Sequence, residues 1–560
     1  MNFEIINPGP GRLIRALIDE LKIIETINNM VRWDPKQWNV SPGELITALI
    51  ISFFCERHAL YKVRDFYKHQ DLDLLFGRND LSADDFNDDC LARALERLED
   101  TEFHKLYGLI LINVRKVYQF QSKCCHADTT SMVVFGDYDD PDQALVNYGF
   151  SKDKRFDLKQ IKSGLCVNSD GFPIYGEPVN GNEDDKTWSN ELLKKFKDVV
   201  NSELAQILVA DSQLITIDNL KLMYEKGISF ISRLPDTFGL SNELKERAWR
   251  ENHWQEAGQI AQTTGSATYQ FQEFPGKIEG IDYRFVVVNS SSLDKRKRKS
   301  LDREIEKEEQ ALAKAITELA KTNYACRPDA DEALRNWLAK QKPKYHQIDI
   351  SITEESITEK RGHRGRPRND EVQPSVQTVY RLVAKIIGKN ESAIQNIYNL
   401  ARTFILITSA PEIPAMEILR DYKDQYKVEQ RFGFLKDPYY VGPLFLKKEN
   451  RIKGLHHALL LTLLIYCLFE RRVRLNLKAE GEPFHVADSY KTYTPTGMTL
   501  LENFDELHIA WFFTPGQIRR ELPKNISEKA LRILRLAGYD ISIYVTPPAP
   551  PAYDRGLYEM

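Results

Sequence analysis

Glu429 lies seven residues after Tyr422 and seven before Lys436 in the segment Tyr422-Lys-Asp-Gln425-Tyr-Lys-Val-Glu429-Gln-Arg-Phe-Gly-Phe-Leu-Lys436. A seven-residue step on an α-helix drifts by only about 20°, so on one continuous helix the three side chains share a face. An acid between an aromatic hydroxyl and an ammonium suits a site that holds a metal ion beside phosphates. Two further acids stand upstream, Asp128 in Cys-His-Ala-Asp128-Thr-Thr-Ser131 and Asp211 in Ile-Leu-Val-Ala-Asp211-Ser. Each alone has an ordinary reading: a satisfied turn residue, the polar end of an apolar strand, a solvated glutamate on a charged helix. Together they are less ordinary. Three neighbouring carboxylates repel one another unless a cation is bound, and a donor set dominated by oxygen selects Mg2+ or Mn2+ over zinc. Two such ions about 4 Å apart activate the attacking oxygen and stabilise the leaving one at phosphorus. The combination points to phosphodiester chemistry on DNA.

The elements that must position these acids are legible as changes of period. Residues 11–120 read as helical. Ser41-Pro42-Gly43-Glu44 is a capping box with proline at the first helical position, and Ser82-Ala-Asp-Asp85 is a second helix start. This region could bind DNA, mediate pairing or brace the core. From about residue 122 strands follow, at 124–134, 161–167 and 172–179, with Asn168-Ser-Asp-Gly171 as a hairpin turn. A helix near 185–200, a buried strand at 206–210, a helix near 217–226 and a strand at 228–232 complete the pattern. Three antiparallel strands followed by helix–strand units is the order of an RNase H-like mixed sheet, an α/β core.

Residues 234–402 interrupt that order with a hairpin (267–274 with 283–289) and a charge-dense helix (294–321). A basic loop, a strand near 379–387 and a helix near 391–402 follow. The sheet is expected to resume at 403–409, before one helix running from about 414 to 436. The expected organisation is a helical domain over 1–120 and a catalytic core split into 121–233 and 403–475. An α+β insertion occupies 234–402, and a C-terminal region spans 476–560.

The chain has 560 residues, 42% hydrophobic and 28% charged, with a formal net charge of −4, a globular composition long enough for several domains. The acidic balance counts mildly against a polyanion partner. The charge is patchy, however: Lys360, Arg361, Arg364, Arg366 and Arg368 crowd one stretch, Lys447, Lys448, Arg451 and Lys453 a second, and Arg471, Arg472 and Arg474 a third. Such patches can neutralise phosphates locally. Seven scattered cysteines without a C-x-x-C pair read as reduced thiols. The N-terminus lacks the layout of a signal peptide, and the apolar run 458–469 reads as a buried helix too short to span a bilayer. A cytoplasmic protein is expected.

The spacing of Tyr422, Glu429 and Lys436 resembles the Tyr-x2-Arg-x3-Glu-x6-Lys signature of insertion-sequence transposases of the DDE superfamily, with Gln425 at the arginine position. Asp128-Thr-Thr-Ser131 and the segment Tyr148-Gly-Phe-Ser-Lys-Asp-Lys-Arg-Phe-Asp157-Leu-Lys-Gln-Ile161 resemble the same family, and the likeness covers nearly the whole chain. The resemblance implies Asp128, Asp211 and Glu429 as catalytic ligands of two Mg2+ or Mn2+ ions. It implies Tyr422, Gln425, Lys436, Lys152, Arg155 and Lys159 as contacts to DNA phosphates, with Lys423 or Lys427 as substitutes for the missing arginine. It further implies a homodimer that pairs transposon ends, cuts them and joins them to target DNA, in a prokaryotic, nucleoid-associated setting. A metal-dependent nuclease on the same fold, and a transposase-derived DNA-binding protein without catalysis, are the alternatives. Arg364-Gly365-Arg366-Pro367 matches an AT-hook core that enters a narrow A·T minor groove; a basic loop touching phosphates without sequence preference fits the same residues. His126 packs in the sheet or, less simply, serves a metal. His456 and His457 head the apolar helix 455–469 and read as capping it against the core or, less simply, as serving near the substrate phosphates.

Overall fold

The computed structural model describes residues 2–55, 59–118, 123–135, 138, 145–151, 154–200, 205–261, 265–358, 376–436, 446–487, 489–514, 517–522, 524 and 526–550. They form two compact units, one of residues 1–233, 279–281 and 408–560, the other of 234–278 and 282–407.

The first unit opens with helices. The Ser41–Glu44 box forms as the sequence predicts: Ser41 N donates to Glu44 Oε2 at 2.9 Å and Glu44 N to Ser41 Oγ at 3.2 Å. It starts the almost wholly buried helix Pro42–Cys55. The Ser82–Asp85 box caps only a short 3-10 turn, Ala83–Phe86. The following helix begins at Asp88, where Asn87 accepts a hydrogen bond from Cys90 N. The interruption has a packing reason, since fully buried Phe86 must turn inward before the helix can set off.

The central sheet of this unit contains β1 (Cys124–Val133), β2 (Gln160–Asn168), β3 (Pro173–Val179), β4 (Ile207–Ala210) and β5 (Ser229–Arg233) in the order β3-β2-β1-β4-β5. The first three are antiparallel neighbours, while β4 runs parallel to β1 and β5 parallel to β4. Between β3 and β4 lies α1 (Asp185–Val199), and α2 (Ile217–Lys226) links β4 to β5. Every residue of β2 and β4 is buried, as expected of strands covered on both faces. The chain therefore has an α/β core built on a mixed sheet.

The predicted helix over 414–436 is two helices. α3 (Ala415–Lys423) ends, Asp424 and Gln425 turn, and α4 (Tyr426–Lys436) begins. At the break the backbone tightens to three-residue bonds, Gln425 N to Tyr422 O at 3.2 Å and Val428 N to Gln425 O at 3.1 Å, the geometry of a 3-10 turn. α3 packs on β4 and β5, and α4 on β1 and β2.

α5 (Glu449–Glu480) is the spine of the unit. It is long and apolar enough to cross a membrane, which the shorter run 458–469 did not suggest, yet its apolar stretch is 94% buried. A core helix explains both properties. It packs against β3 and against the helices Asp88–Glu99 and Pro42–Cys55. A Cβ on Gly454 would stand 2.2 Å from the carbonyl oxygen of Leu95, so glycine permits the close crossing.

The second unit holds strands Gln255–Gln259, Thr268–Ile278, Ile281–Ser290 and Thr403–Thr408, neighbours in that order. A separate ribbon pairs His346–Thr358 with Val376–Lys389. The helices Gly239–Glu251 and Arg327–Gln341 and the strand His346–Thr358 were not legible in the sequence. Alternation along that strand is between half-buried and exposed residues, without the apolar contrast that marks a core strand. None of the seven cysteines forms a disulfide.

Candidate active site

Asp128 and Asp211 end up side by side because of strand register. The parallel pairing of β1 with β4 matches Cys124 with Ile207, Cys125 with Leu208 and His126 with Val209. Two residues further along each chain, the same register carries Asp128 opposite Asp211. Neighbouring strands lie about 4.8 Å apart, so the two backbone positions are close neighbours on the sheet. Asp128 Oδ1 accepts from Thr129 N at 2.7 Å. Asp211 closes β4 as the cap of a 3-10 turn, its Oδ1 accepting from Gln213 N at 2.9 Å. Its carbonyl accepts from Ser232 Oγ at 2.6 Å, which fastens the end of β4 to β5.

Glu429 is exposed on the first turn of α4. Its relation to Asp211 is visible through Tyr422. Burial pushes the Tyr422 hydroxyl's pKa up; the Arg233 guanidinium opposes the rise, and the carboxylates of Asp211 and Glu429 add to it. Tyr422 thus lies in the field of both acids and stays protonated, a donor. Among the described residues no three His, Cys, Asp or Glu side chains stand close enough to share one ion. The donor chemistry nevertheless fits Mg2+ or Mn2+, because the two aligned groups are both carboxylates and the third candidate is another.

Two comparisons bear on this arrangement. A family model described as a transposase DDE domain matches residues 126–468, more than half of the chain. The chain belongs to the DDE transposase family. A domain of unknown function matches residues 11–112 of the transposase, the helical N-terminal part. No curated protein matches the chain.

Other predicted contacts of the transposase fall in different places. Gln425 lies in the turn between α3 and α4, and Lys436 is the half-buried last residue of α4. Lys427 is no substitute for a phosphate-binding arginine: its Nζ donates to Ser169 O at 2.6 Å and to Asp424 at 2.7 Å. Arg155 pairs with Asp157 at 2.8 Å, and Lys159 Nζ donates to Tyr138 O at 2.8 Å. Lys152 and the AT-hook-like Arg364, Gly365, Arg366 and Pro367 lie outside the described residues.

Two of the basic patches are largely internal wiring. Arg451 and Lys448 face Glu96, Lys453 faces Glu449, Arg472 faces Glu20, and Arg474 faces Glu470. His456 and His457 do not head their helix, which begins at Glu449, and both are buried. His456 Nε2 meets Ser163 Oγ at 2.8 Å, and His457 Nε2 meets Glu99 at 2.7 Å while its ring stacks on Phe103. His126 is buried in β1, and desolvation first, then Lys427, pushes its pKa down to about 4.

Sequence reasoning missed the residues that aim Glu429. Arg431 donates through Nε to Gly171 O at 2.9 Å and through Nη1 to Glu470 Oε1 at 3.2 Å. Arg471 of α5 reaches Asp170 at 3.2 Å. The turn joining β2 to β3, with Gly171 in the left-handed region at φ +81°, is therefore grasped by Lys427, Arg431 and Arg471. Lys427 and Arg431 are four residues apart and share one helix face. Glu429, between them, is turned away from it. Arg233, at the end of β5, was also missed. The available signal was its place as a polar residue closing an apolar strand, the feature that singled out Asp211.

Proposed function

We propose that this chain is an active DNA transposase that cuts transposon ends and joins them to target DNA, with Asp128, Asp211 and Glu429 as the ligands of two Mg2+ or Mn2+ ions. The shared register of Asp128 and Asp211 carries the reading. The strand order, three antiparallel strands flanked by parallel ones, supports an RNase H-like core split into 121–233 and 403–475 around an insertion at 234–402. In this reading residues 1–120 bind DNA or a second copy, and 476–560 form a C-terminal region. The working form is a homodimer on double-stranded DNA, in the cytoplasm at the nucleoid.

Bound divalent ions would activate the attacking oxygen and stabilise the leaving one. The chain's own groups do the rest. Asp128, from within β1, and Asp211, just past the end of β4, fix the cation site, and Glu429 closes it from α4. Tyr422, kept protonated by burial and by two acids, donates a hydrogen bond to a phosphate oxygen. Arg233 and Lys436 supply positive charge beside it. Gln425 offers an amide where the family signature has a guanidinium, so one phosphate contact is neutral.

The test is excision of a marked element from a plasmid by the purified protein with Mg2+ or Mn2+. Joined products support transposition. Cleavage without joining supports a metal-dependent nuclease on the same fold, and binding alone supports a DNA-binding protein derived from a transposase.

A further inference from the structure

The described residues 148–151 and 154–159, which lead into β2, carry a surface out of keeping with a solvated turn. Tyr148, Phe150 and Phe156 are 60%, 76% and 58% exposed. The rings of Phe150 and Phe156 lie 6.0 Å apart, and Lys159 Nζ stands 5.8 Å from the centre of the Tyr148 ring. Monomeric surfaces rarely leave such a cluster in water without a use.

The described residues at the base of this stretch are firmly held. Asn147 and Gln160 exchange backbone hydrogen bonds of 3.1 and 2.9 Å. Gln160 Nε2 donates to Gly181 O at 2.7 Å and to Phe150 O at 3.3 Å, and Asn147 Nδ2 to Asn180 Oδ1 at 2.9 Å. Gly149 backs onto the chain so closely that a Cβ would stand 2.2 Å from Gly181 O. Ser151, next to exposed Phe150, is buried. The backbone beside Tyr148 and Phe150 is thus anchored while their rings face outward, which lowers the ordering cost of binding a ligand there.

Charge selects the partner. The described part of the loop carries Lys154, Arg155 and Lys159 against the single acid Asp157, a balance suited to a polyanion. Exposed aromatics interleaved with cations are the arrangement that stacks bases while tracking a phosphate backbone. Distance agrees. Gln160, where this stretch enters β2, pairs with Val133, five residues along β1 from Asp128; at about 3.4 Å per residue the base of the stretch is about 17 Å along the strand from Asp128, or about five nucleotide steps of one strand.

We propose that Tyr148, Phe150 and Phe156 form a stacking platform for unpaired DNA bases a few nucleotides from the phosphate that is cut. This rests on the DNA reading of the site and adds a preference for locally opened DNA. It is tested by fluorescence anisotropy with the full chain in EDTA, so that no strand is cut. The probes are a mixed-sequence single strand of about 20 nucleotides and the same sequence as a duplex. Phe150→Ala and Phe156→Ala are each expected to weaken single-strand binding by roughly 5- to 100-fold, with duplex binding changed by less than about twofold. Phe150→Trp, which keeps a ring, should restore it. Equal losses on both probes, or no loss on either, overturn the platform while leaving the DNA reading intact. A wild-type chain that binds neither probe overturns both.

Discussion

Arg431, two residues after Glu429, reaches the buried carboxylate of Glu470 on α5 at 3.2 Å. Glu470 is 5% exposed at its side chain and also accepts from Arg474 at 2.9 Å and from Gly497 N at 3.0 Å. The rotation of α4 about its own axis is thereby set from below. One residue of slip would turn Glu429 by about 100°.

Removing one member of this buried pair leaves the other uncompensated. Glu470→Ala and Arg431→Ala should each cost about 3 kcal/mol or more, read as a fall in the urea midpoint. The double variant should cost less than the sum of the two. Additive losses would show that the two side chains do not act as a unit.

Asp128→Asn, Asp211→Asn and Glu429→Gln should each abolish cleavage while DNA affinity stays within about threefold, because DNA affinity rests mainly on phosphate contacts elsewhere. Asn at 211 can still accept from Gln213 N, so the local turn should survive. Appreciable cleavage by any one variant removes that residue from the site.

Two glycines on neighbouring helices should respond in opposite directions. Gly454→Ala pushes a methyl against Leu95 O and should destabilise by about 2 kcal/mol or more. Gly433, exposed on α4 with nothing within 4 Å of an added Cβ, should gain about 0.5 to 1 kcal/mol as alanine. Thermal melts of the two variants check both signs.

Stability should fall in acid through buried histidines. Burial, with His457 beside it, pushes the His456 pKa down to about 3. Between about pH 3 and 6.5 the unfolded chain binds a proton at this position that the folded chain does not. Stability therefore rises with pH in that window and is lost as pH falls through it, by up to about 1.4 kcal/mol per unit. His126 acts in the same sense above about pH 4. In His456→Gln the slope between pH 4 and 6 should flatten; an unchanged slope assigns the effect to other groups.

Much of the sheet was legible because its strands announce themselves by apolar runs and its turns by Asn, Asp and Gly. The helix Ile217–Lys226 falls at its expected bounds, with Thr216 capping one end and Gly227 the other. The break at Asp424–Gln425 was not legible, since no proline or glycine marks it. It arises from packing, with α3 and α4 each seated on a different pair of strands. Likewise no spacing rule shows that Lys427 and Arg431 serve the turn between β2 and β3, because their partners are backbone carbonyls more than 250 residues away in sequence. The register of Asp128 with Asp211 could only be suspected before the pairing of β1 with β4 was known.

The hold of Glu470 on the helix of Glu429 also has a temporal side. Asp128 leaves the ribosome more than three hundred residues before Glu470 does. At about 5 to 20 residues per second, the first acid waits on the order of twenty seconds to a minute before the last can be aimed. A nascent chain that stops short of Glu470 thus carries Asp128, Asp211 and Glu429 without the buried contact that fixes the rotation of the last one's helix.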